Sequence, residues 1–397
     1  MGRRKLNIAC IFGGELHSGG GFQTQLSTLL ELEKIEDCSV LVFILTKDSE
    51  GILKAYGFKP IYLNLTWLDK AFMFMARQNC FFRFAHKYHL KNKFEKILQQ
   101  YNIDLIYFLS PSSLALDLVC HNYIFTVWDL CHRDFCEFPE VNFYREFENR
   151  EMLYTKVLKK AIAVLTDSDL GRENAIRRYN LDENRVYVAH YLPSVNVKET
   201  DYIDIRAKYN LNIPYIYYPA QFWAHKNHVY IIDGISILRK EGINIAAVFS
   251  GSDKGNLDYV LKYAEEKGAS SLVKYIGFVP NEEIYHLYKQ SLALVMPSYF
   301  GPTNIPPLEA FAIGTPVIYS DLAGLRDQVG DAALLCDLKE PESLADQIKM
   351  LLNNKEKREE LINKGYVRLK ELQSRSINNV LPKIIEDYIV KLKCWKR

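Results

Sequence analysis

Residues 297–314 have a composition that suits the binding of a phosphorylated ligand. A loop rich in Gly, Pro, Thr and Asn follows an apolar run, and Pro306 and Pro307 then suit the first turn of a helix, where a missing amide hydrogen costs little. The free main-chain amides of the loop and the positive end of the helix dipole would both face outward. Such an arrangement stabilises a diphosphate group. The residues predicted to contact it are Thr303, Asn304 and Ile305.

Glu309 lies about one turn into the same predicted helix. Its carboxylate could accept hydrogen bonds from two neighbouring ribose hydroxyls, which would make the ligand a nucleotide. The alternative is a carboxylate that only complements the positive end of the helix dipole. The position favours the first interpretation and leaves the second open.

An α/β framework must position these residues, because short apolar runs alternate with helical stretches along the whole chain. In the first half, the predicted strands span residues 6–12, 40–45, 104–109, 123–127 and 161–165. In the second half, they span residues 215–219, 245–249, 273–276, 292–296, 316–319 and 333–335. The pattern predicts two doubly wound, Rossmann-like domains that face each other across a cleft, with a C-terminal helical tail.

Domain boundaries follow from breaks in this pattern. The composition becomes irregular through residues 193–200, and a new series of strands then begins. We expect an N-terminal domain over residues 1–195 and a C-terminal, ligand-binding domain over residues 196–372. Residues 373–397 are expected to form a helix that packs back on the N-terminal domain.

The composition of the 397 residues excludes several classes of protein. Apolar residues make up 48% and charged residues 25%, which is ordinary globular usage. A net charge of +2 is too small to predict nucleic acid as a partner. The eight cysteines show no paired spacing, and no apolar run approaches the length of a membrane span. We therefore expect reduced thiols, no signal peptide and a cytoplasmic location.

Further stretches occur in an order that resembles a known family. Tyr218-Pro-Ala-Gln-Phe-Trp-Ala-His-Lys-Asn-His follows a predicted strand, and Phe249-Ser-Gly-Ser and Tyr275-Ile-Gly-Phe-Val-Pro come later. Together with the loop and helix described above, residues 270–340 resemble the C-terminal domain of family four of the retaining glycosyltransferases, the glycosyl transferases group 1. These enzymes have the GT-B architecture. The resemblance is specific over residues 270–340 and looser over the rest of the chain.

This resemblance implies a nucleotide-diphosphate sugar as the donor, with no metal and no other cofactor. Lys226 would contact the donor diphosphate, where a positive charge stabilises the leaving group in the transition state. The alternative is that Lys226 is an ordinary solvated lysine in a turn. The other residues that the resemblance assigns to the donor are Gln221, Gly251 and Phe278.

The sequence departs from the family pattern at two positions of the donor site. Many relatives carry arginine where Gln221 stands, and a glutamate eight residues before the position of Glu309, where this chain has Gly301. The first change removes a phosphate contact, and the second removes a carboxylate that would contact the sugar. Thr303 and Asn304 are expected to take over some of that bonding.

The N-terminal domain carries a glycine-rich loop after its first strand. The glycines at positions 19–21 allow close approach of a backbone to a phosphate or sugar, although the spacing is not the dinucleotide fingerprint and does not predict NAD. The resemblance places Gly20 and Gly21 near the donor phosphates or the acceptor. A loop that serves only as a turn is the alternative.

The stretch after residue 126 resembles the strand exit at which relatives usually carry a His-Asp pair that lines the cleft. Here Trp128 precedes Asp129, and His132 follows three residues later. Asp129 and His132 are predicted to position the sugar and the acceptor, with a structural histidine as the alternative for His132.

Two polar clusters resemble metal sites without having the full pattern. Cys131, His132 and Cys136 lack a second pair at ligand spacing, so zinc is not predicted. Residues 167–169 form an Asp-Ser-Asp triplet between a strand and a helix, where they are expected to cap the helix rather than bind a metal.

Residues 68–98 combine six phenylalanines with seven basic and two acidic residues, a local charge of +5. An amphipathic helix that contacts an anionic membrane has this composition, and it would place the protein on the inner face of the plasma membrane with a lipid-linked acceptor. An ordinary core helix with a solvated basic face fits equally well.

The resemblance thus implies a glycosyltransferase that moves a hexose or deoxyhexose to a glycan or lipid-linked acceptor, with retention at the anomeric carbon. Bacterial surface polysaccharide assembly, such as that of O-antigen or capsule, is the expected context. Within the same fold, a nucleotide-sugar epimerase or a phosphorylase is an alternative, although no pyridoxal lysine site is evident. A non-catalytic partner that binds sugar nucleotides or membranes is the alternative of another class. It is motivated by the residues at positions 128, 221 and 301.

Overall fold

The structure is a computed structural model that describes residues 5–13, 19–77, 91–195 and 197–395. The chain divides into two compact units. Unit 1 comprises Met1–Leu130, Glu148–Ala189 and Arg375–Arg397, and unit 2 comprises Cys131–Phe147 and His190–Ser374. The chain passes from unit 1 to unit 2 for the second time between Ala189 and His190, close to the break that the sequence shows near residue 195. Residues 131–147, which we call the insert, are grouped with unit 2 although they lie between two segments of unit 1.

The described residues form thirteen strands and seventeen α-helices, numbered here in chain order. The strands are β1 Leu6–Phe12, β2 Cys38–Ile44, β3 Ile61–Tyr62, β4 Leu105–Phe108, β5 Tyr123–Thr126, β6 Ala163–Thr166, β7 Val186–Val188, β8 Tyr215–Pro219, β9 Ala246–Ser250, β10 Val273–Tyr275, β11 Leu294–Met296, β12 Val317–Ser320 and β13 Leu334–Cys336. The helices of unit 1 are α1 Gly20–Leu32, α2 Glu50–Ala55, α3 Trp67–Ala76, α4 Lys93–Gln100, α7 Glu146–Val157, α8 Asp169–Tyr179 and α17 Ile377–Leu392, of which α7 begins in the insert. The helices of unit 2 are α5 Cys131–Asp134, α6 Pro139–Asn142, α9 Ile205–Lys208, α10 His228–Lys240, α11 Leu257–Glu266, α12 Asn281–Lys289, α13 Ile305–Ile313, α14 Leu325–Val329, α15 Pro341–Asn353 and α16 Lys355–Gln373.

Each unit contains one parallel sheet. The sheet of unit 1 has the order β3-β2-β1-β4-β5-β6-β7, and that of unit 2 has the order β10-β9-β8-β11-β12-β13. All of their strand pairs are parallel, from the long β1–β2 ladder to the single pairing of β11 with β8. The strand order reverses beside the first strand of each sheet, as in a Rossmann fold. The predicted α/β class and its doubly wound topology are therefore confirmed.

The strands form where the sequence is apolar on both faces, because helices cover both sides of a parallel sheet. All eleven predicted strands are present, with ends that differ from the prediction by at most two residues. The sequence missed β3 and β7, which have two and three residues and occupy the two edges of the first sheet. Runs this short carry little periodic signal.

The C-terminal helix α17 belongs to unit 1. Its Tyr388 donates a hydrogen bond of 3.0 Å to the main-chain oxygen of Asp104 beside β4 and accepts one of 3.1 Å from Asn122. The two preceding helices, α15 and α16, belong to unit 2, where α15 packs on α10 and α16 packs on α13. In the part of the chain that is described, no helix has both the length and the apolar character needed to cross a membrane.

Helix α3 begins with a capping box and exposes much of its apolar surface. Thr66 accepts from the amide of Asp69, whose carboxylate accepts in return from the amide of Thr66. The exposed apolar residues of this helix are Trp67, Leu68, Phe74 and Met75. Of the predicted membrane segment at residues 68–98, residues 78–90 lie outside the described part of the chain.

Candidate functional site

Most of the predicted donor residues of unit 2 follow two strands at the centre of its sheet. Strand β8 leads into a short 3-10 helix, Ala224–Lys226, and β11 leads into a loop that ends at α13. These two strands are neighbours at the place where the strand order reverses. Ligands of open parallel sheets bind at the carboxyl ends of the strands at this point.

Lys226 and Asn304 are brought together across this switch point. The Nζ atom of Lys226 lies 3.2 Å from Oδ1 of Asn304 and 3.5 Å from Oγ of Ser298. Asn227 follows with a φ of 55°, so the chain turns in a left-handed conformation before α10 begins. Lys226 is half-buried, and its ammonium group lies against the loop that precedes α13.

Asn304 occupies the N-cap position of α13 and joins a network of three side chains. Its Nδ2 atom donates to the hydroxyl of Tyr319 at 2.7 Å and to the main-chain oxygen of Phe300 at 3.2 Å. The main-chain amide of Asn304 donates to Oε1 of Gln328 at 2.9 Å, and Gln328 donates back to its carbonyl at 2.6 Å. The amide that the sequence assigned to a phosphate is therefore bonded to Gln328 in this structure.

Helix α13 starts where the sequence predicted it. Pro306 and Pro307 lie in its first turn and have no amide hydrogen, so this helix start offers few donors to an anion. Thr303 and Ile305 are both buried. The positive end of the helix dipole faces the loop, and a phosphate bound there would depend mostly on side chains such as Lys226 for its contacts.

Glu309 projects from α13 toward α12. Its Oε2 atom accepts a hydrogen bond of 2.8 Å from the hydroxyl of the fully buried Tyr288. Burial raises the pKa of Glu309 to about 7, although the bonds from Tyr288 and from the main chain of Ser194 act in the opposite direction. The carboxyl group therefore changes charge near neutral pH. The ring of Tyr217 packs edge-on against the ring of Tyr288, with ring centroids 5.1 Å apart.

Gly251 and Gln221 lie at the exits of the neighbouring strands β9 and β8. Gly251 has a φ of 139°, and a Cβ atom there would collide with the main-chain oxygen of Ala220, so this position requires glycine. Nε2 of Gln221 donates to Oγ of Ser252 at 3.1 Å, and Nε1 of Trp223 donates to Oε1 of Gln221 at 3.1 Å. Phe278 is 67% exposed beyond β10.

Gly301 has a physical reason to be glycine where many relatives carry glutamate. Its φ is 88°, and a Cβ atom would lie 2.7 Å from the main-chain oxygen of Thr303. Its amide donates to Sγ of Cys131 at 3.3 Å. The loop before α13 therefore has a conformation in this protein that a side chain at position 301 would strain.

In unit 1, Gly20 and Gly21 open helix α1 after the glycine-rich loop. Gly19 precedes them with a φ of 66°, and a Cβ atom on Gly21 would come within 2.8 Å of the ring of Trp128. Gln25 links the loop to the first strand, because it accepts from the amide of Gly13 and donates to the carbonyl of Gly21. Residues 14–18 of this loop lie outside the described residues.

Asp129 and His132 fall in different units, despite being three residues apart. Asp129 belongs to unit 1, where its Oδ1 accepts from Nη1 of Arg150 at 3.1 Å. His132 belongs to unit 2, is fully buried, and packs edge-on against Phe147 with ring centroids 5.4 Å apart. His132 thus has the environment of a structural histidine in this structure.

The clusters that resembled metal sites have other partners or surroundings. Ser168 caps α8 by accepting from the amide of Gly171 at 3.0 Å, which confirms the predicted capping role of that triplet. The described part of the chain contains no group of three or more His, Cys, Asp or Glu side chains arranged to hold a metal ion. All seven cysteines in this part are free thiols.

Several residues that shape the site were not predicted. Tyr288 positions Glu309, Gln328 and Tyr319 fix Asn304, and Arg150 pairs with Asp129. The insert supplies Glu140, which accepts a hydrogen bond from the amide of His225 at 2.8 Å. These partners come from other elements, so the local spacing of residues contained no signal for them.

The two Rossmann-type units define the class of fold as GT-B, and solved structures agree. Sucrose-phosphate synthase from Thermosynechococcus elongatus aligns with a TM-score of 0.76 at 19% identity, covering 98% of this chain and 100% of that one. Anabaena HepE, solved in complex with UDP-glucose, aligns with a TM-score of 0.73 at 16% identity, covering 97% of this chain and 100% of that one. At such identities the likeness concerns the fold.

Sequence comparisons add a family match for a large part of unit 2. Residues 201–368 match the family described as Glycosyl transferases group 1, which confirms the resemblance over that span. The O-antigen chain mannosyltransferase B of Escherichia coli is 27% identical over 223 residues, which are 54% of this chain and 58% of that protein. The chain thus spans little more than half the length of the curated relatives it matches.

Proposed function

We propose that this protein is a glycosyltransferase that moves a sugar from a nucleotide-diphosphate donor to an acceptor hydroxyl. The observation that carries the proposal is the contact of Lys226 with Asn304 at the switch point of unit 2. Both residues lie in segments that follow strands β8 and β11, within the span that matches the family. A cation at this position suits a diphosphate leaving group, which gains negative charge as the sugar departs.

In the proposed reaction, the bond between the anomeric carbon and the β-phosphate oxygen breaks, a bond from that carbon to the acceptor oxygen forms, and the proton of the acceptor hydroxyl passes to the departing diphosphate. Lys226 and the dipole of α13 stabilise the departing diphosphate, and Glu309 accepts hydrogen bonds from the ribose. Since Lys226 supplies the positive charge, the proposed reaction requires no metal. Transfer with retention at the anomeric carbon is part of the proposal and follows from the family resemblance.

A nucleotide sugar as donor is supported by the solved complexes of HepE with UDP and with UDP-glucose. For the acceptor, we propose a glycan or a lipid-linked glycan, and for the sugar a hexose or deoxyhexose. The support is the similarity to O-antigen chain mannosyltransferases of Escherichia coli and Salmonella typhimurium. Surface polysaccharide biosynthesis in a bacterium is the proposed context.

On the acceptor side, Asp129 is proposed to position the sugar or the acceptor, with its carboxylate oriented by Arg150. Contact between His132 and a ligand would require its imidazole to leave the buried position against Phe147. Gly20 and Gly21 remain candidates for close approach of a ligand to the start of α1. These roles rest on the resemblance together with the positions described above.

A peripheral contact with an anionic membrane, on the inner face of the plasma membrane, is also part of the proposal. Helix α3 exposes Trp67 to 75% and Phe74 to 62%, and the segment that follows in the sequence is rich in Lys and Arg. Aromatic residues beside basic ones suit the interface of an anionic bilayer. Such a contact would bring a lipid-linked acceptor to the enzyme.

The test combines binding and turnover in the purified full-length protein. Nucleotide sugars carrying UDP, GDP or dTDP are screened by thermal shift, and release of the nucleoside diphosphate is then measured with and without EDTA. We expect one of the nucleotide sugars to raise the melting temperature of the protein, and the nucleoside diphosphate to be released in the presence of EDTA. With an α-linked donor, NMR should show an α-linked product. Binding without turnover with any acceptor would favour a regulatory partner, and the absence of any nucleotide binding would refute the proposal.

A further inference from the structure

The insert packs against both sides of the candidate donor site within unit 2. Its helices α5 and α6 are only four residues long, so their placement depends on what they pack against. Cys131, Val141 and Phe300 form a small buried cluster that is separate from the main core of the unit. The insert therefore has its own apolar anchor on the loop that precedes α13.

Aromatic rings make up most of this anchor. Phe135 stacks on Phe300 with ring centroids 5.8 Å apart, and Phe138 meets the same ring edge-on at 5.1 Å. Phe138 also lies 5.3 Å from the ring of Tyr299. Pairs with these geometries stabilise beyond the area they bury.

Glu140 makes the polar link between the insert and the turn that carries Lys226. Its Oε1 atom accepts a hydrogen bond of 2.8 Å from the main-chain amide of His225 and also bonds Nδ1 of the His225 ring. Both side chains are largely buried, with 7% of Glu140 and 11% of His225 exposed. Although burial alone would raise the pKa of Glu140, the bonds from His225 hold it below its ordinary value.

His225 in turn connects to the loop before α13. Its ring stacks on Phe300 with centroids 4.1 Å apart and planes at 10°, and its carbonyl accepts from the amide of Tyr299 at 2.9 Å. Phe300 accepts a hydrogen bond from Asn304, and Oγ of Ser298 lies within reach of Lys226. The turn after β8 and the loop after β11 are therefore joined through His225, whose ring and amide are oriented by Glu140.

We propose that Glu140 is a positioning residue for the donor site: by fixing His225, it holds the turn of Lys226 and the loop of residues 298–304 in the geometry that receives the donor diphosphate. This inference rests on the proposed function and deepens it. Glu140 acts through His225 and need not touch the ligand. A buried carboxylate with two donors is suited to this task, because each bond fixes a direction.

The test compares three variants of the full chain. Glu140→Ala removes both acceptor bonds, and Glu140→Gln keeps a carbonyl oxygen that can accept from the amide of His225. Glu137→Ala is the matched control, since Glu137 is an exposed glutamate of the same insert. Circular dichroism and the melting temperature establish that each variant is folded before the other measurements are made.

The first readout is hydrogen exchange without any ligand. In Glu140→Ala, peptides covering residues 222–229 and 297–304 should exchange about tenfold faster, because the amide of His225 loses its acceptor and the carbonyl of His225, which accepts from the amide of Tyr299, is no longer held in place. Glu140→Gln should lie between this variant and the wild type, and Glu137→Ala should match the wild type. Unchanged exchange of both peptides in Glu140→Ala would overturn the inference.

The second readout is the dissociation constant of UDP, GDP or dTDP, whichever the wild type binds. Glu140→Ala should weaken it by about tenfold or more, since misplacing a contact by about an ångström costs that much. Faster exchange with unchanged nucleotide affinity would contradict the positioning role. A wild type that binds no nucleotide would contradict the proposed function alone, and the exchange measurement would still decide whether Glu140 joins the two segments.

Discussion

The hydroxyl of Tyr288 donates a hydrogen bond of 2.8 Å to Oε2 of Glu309. This bond joins the candidate ribose-binding carboxylate on α13 to the neighbouring helix α12 and fixes its direction. Burial raises the pKa of Glu309 to about 7, and the bond from Tyr288 limits that rise. Glu309 therefore combines a fixed orientation with a charge that depends on pH in the neutral range.

Donor binding is expected to strengthen as the pH rises from 6 to 8. A carboxyl group with a raised pKa is charged only above that pKa, and the charged form accepts the stronger hydrogen bonds from ribose hydroxyls. For a pKa of about 7, the charged fraction and hence the affinity should change by about tenfold over this range. A nucleotide sugar is the suitable ligand for calorimetry, because both of its phosphates are esterified and do not titrate here.

The control for this pH profile is Glu309→Gln, which keeps the shape of the side chain but has no titrating group. Its affinity should be weak and nearly independent of pH. Glu309→Ala should also weaken nucleotide binding. A wild-type affinity that is constant from pH 6 to 8 would show that the charge of Glu309 takes no part in binding.

Tyr288→Phe should weaken donor binding at pH 7 by about fivefold. The change removes the bond that lowers the pKa of Glu309, so a smaller fraction of the carboxyl group is charged and its orientation is less restricted. The midpoint of the pH profile should move upward. Tyr215→Phe is the matched control, because this buried tyrosine donates to the carbonyl of Leu287 at 2.8 Å instead. Equal profiles for the two variants would argue against the role of Tyr288.

Lys226→Ala should lower turnover by about 100-fold or more, since it removes the positive charge that faces the departing diphosphate. Lys226→Arg keeps a charge and should retain more activity than the alanine variant. The measurement is release of the nucleoside diphosphate at saturating donor. If Lys226→Ala turns over at the wild-type rate, the proposed contact with the leaving group is wrong.

Gly301→Ala and Gly301→Glu should both destabilise unit 2, by about 1–3 kcal/mol. The φ of 88° and the approach of a Cβ atom to the main-chain oxygen of Thr303 leave no relaxed position for a side chain. Glutamate, which many relatives carry at this position, should therefore destabilise this protein. Chemical denaturation measures the change, and Gly51→Ala in α2, where a Cβ atom would have open space, should be neutral or stabilising. Equal stabilities of Gly301→Ala and the wild type would contradict the interpretation that a side chain at position 301 strains the loop.

The proposed membrane contact can be tested on helix α3. Trp67→Ser combined with Phe74→Ser should lower binding to vesicles containing anionic lipid by about tenfold, because two exposed aromatic rings no longer enter the interface. Sedimentation with anionic and with neutral vesicles measures the effect, and salt should weaken binding to the former. Tyr259→Ser, at an aromatic residue of unit 2 that is 56% exposed, is the control. If the wild-type protein stays in the supernatant with both kinds of vesicle, the proposed membrane contact is wrong and α3 is an ordinary surface helix.

The amino-acid sequence by itself determined the class of fold and eleven of the thirteen strands in the described residues. The residues of β8 are apolar and buried on both faces, and Pro306 and Pro307 fix the start of α13, so these elements could be located from a few neighbouring residues. The doubly wound topology could be predicted because parallel strands joined by helices adopt few topologies. The family match of residues 201–368 depends on the same local motifs.

Only the tertiary structure decided which side chains meet. Lys226 and Asn304 are 78 residues apart, and Glu140 and His225 are 85 apart. The sequence predicts a phosphate beside the amide of Asn304, and the structure shows that Gln328 accepts from this amide and that His132 is buried. Periodicity reports which face of an element is buried, because burial is set by the nearest few residues. The partner of a polar group depends on how distant elements pack, and this is information that no local pattern contains.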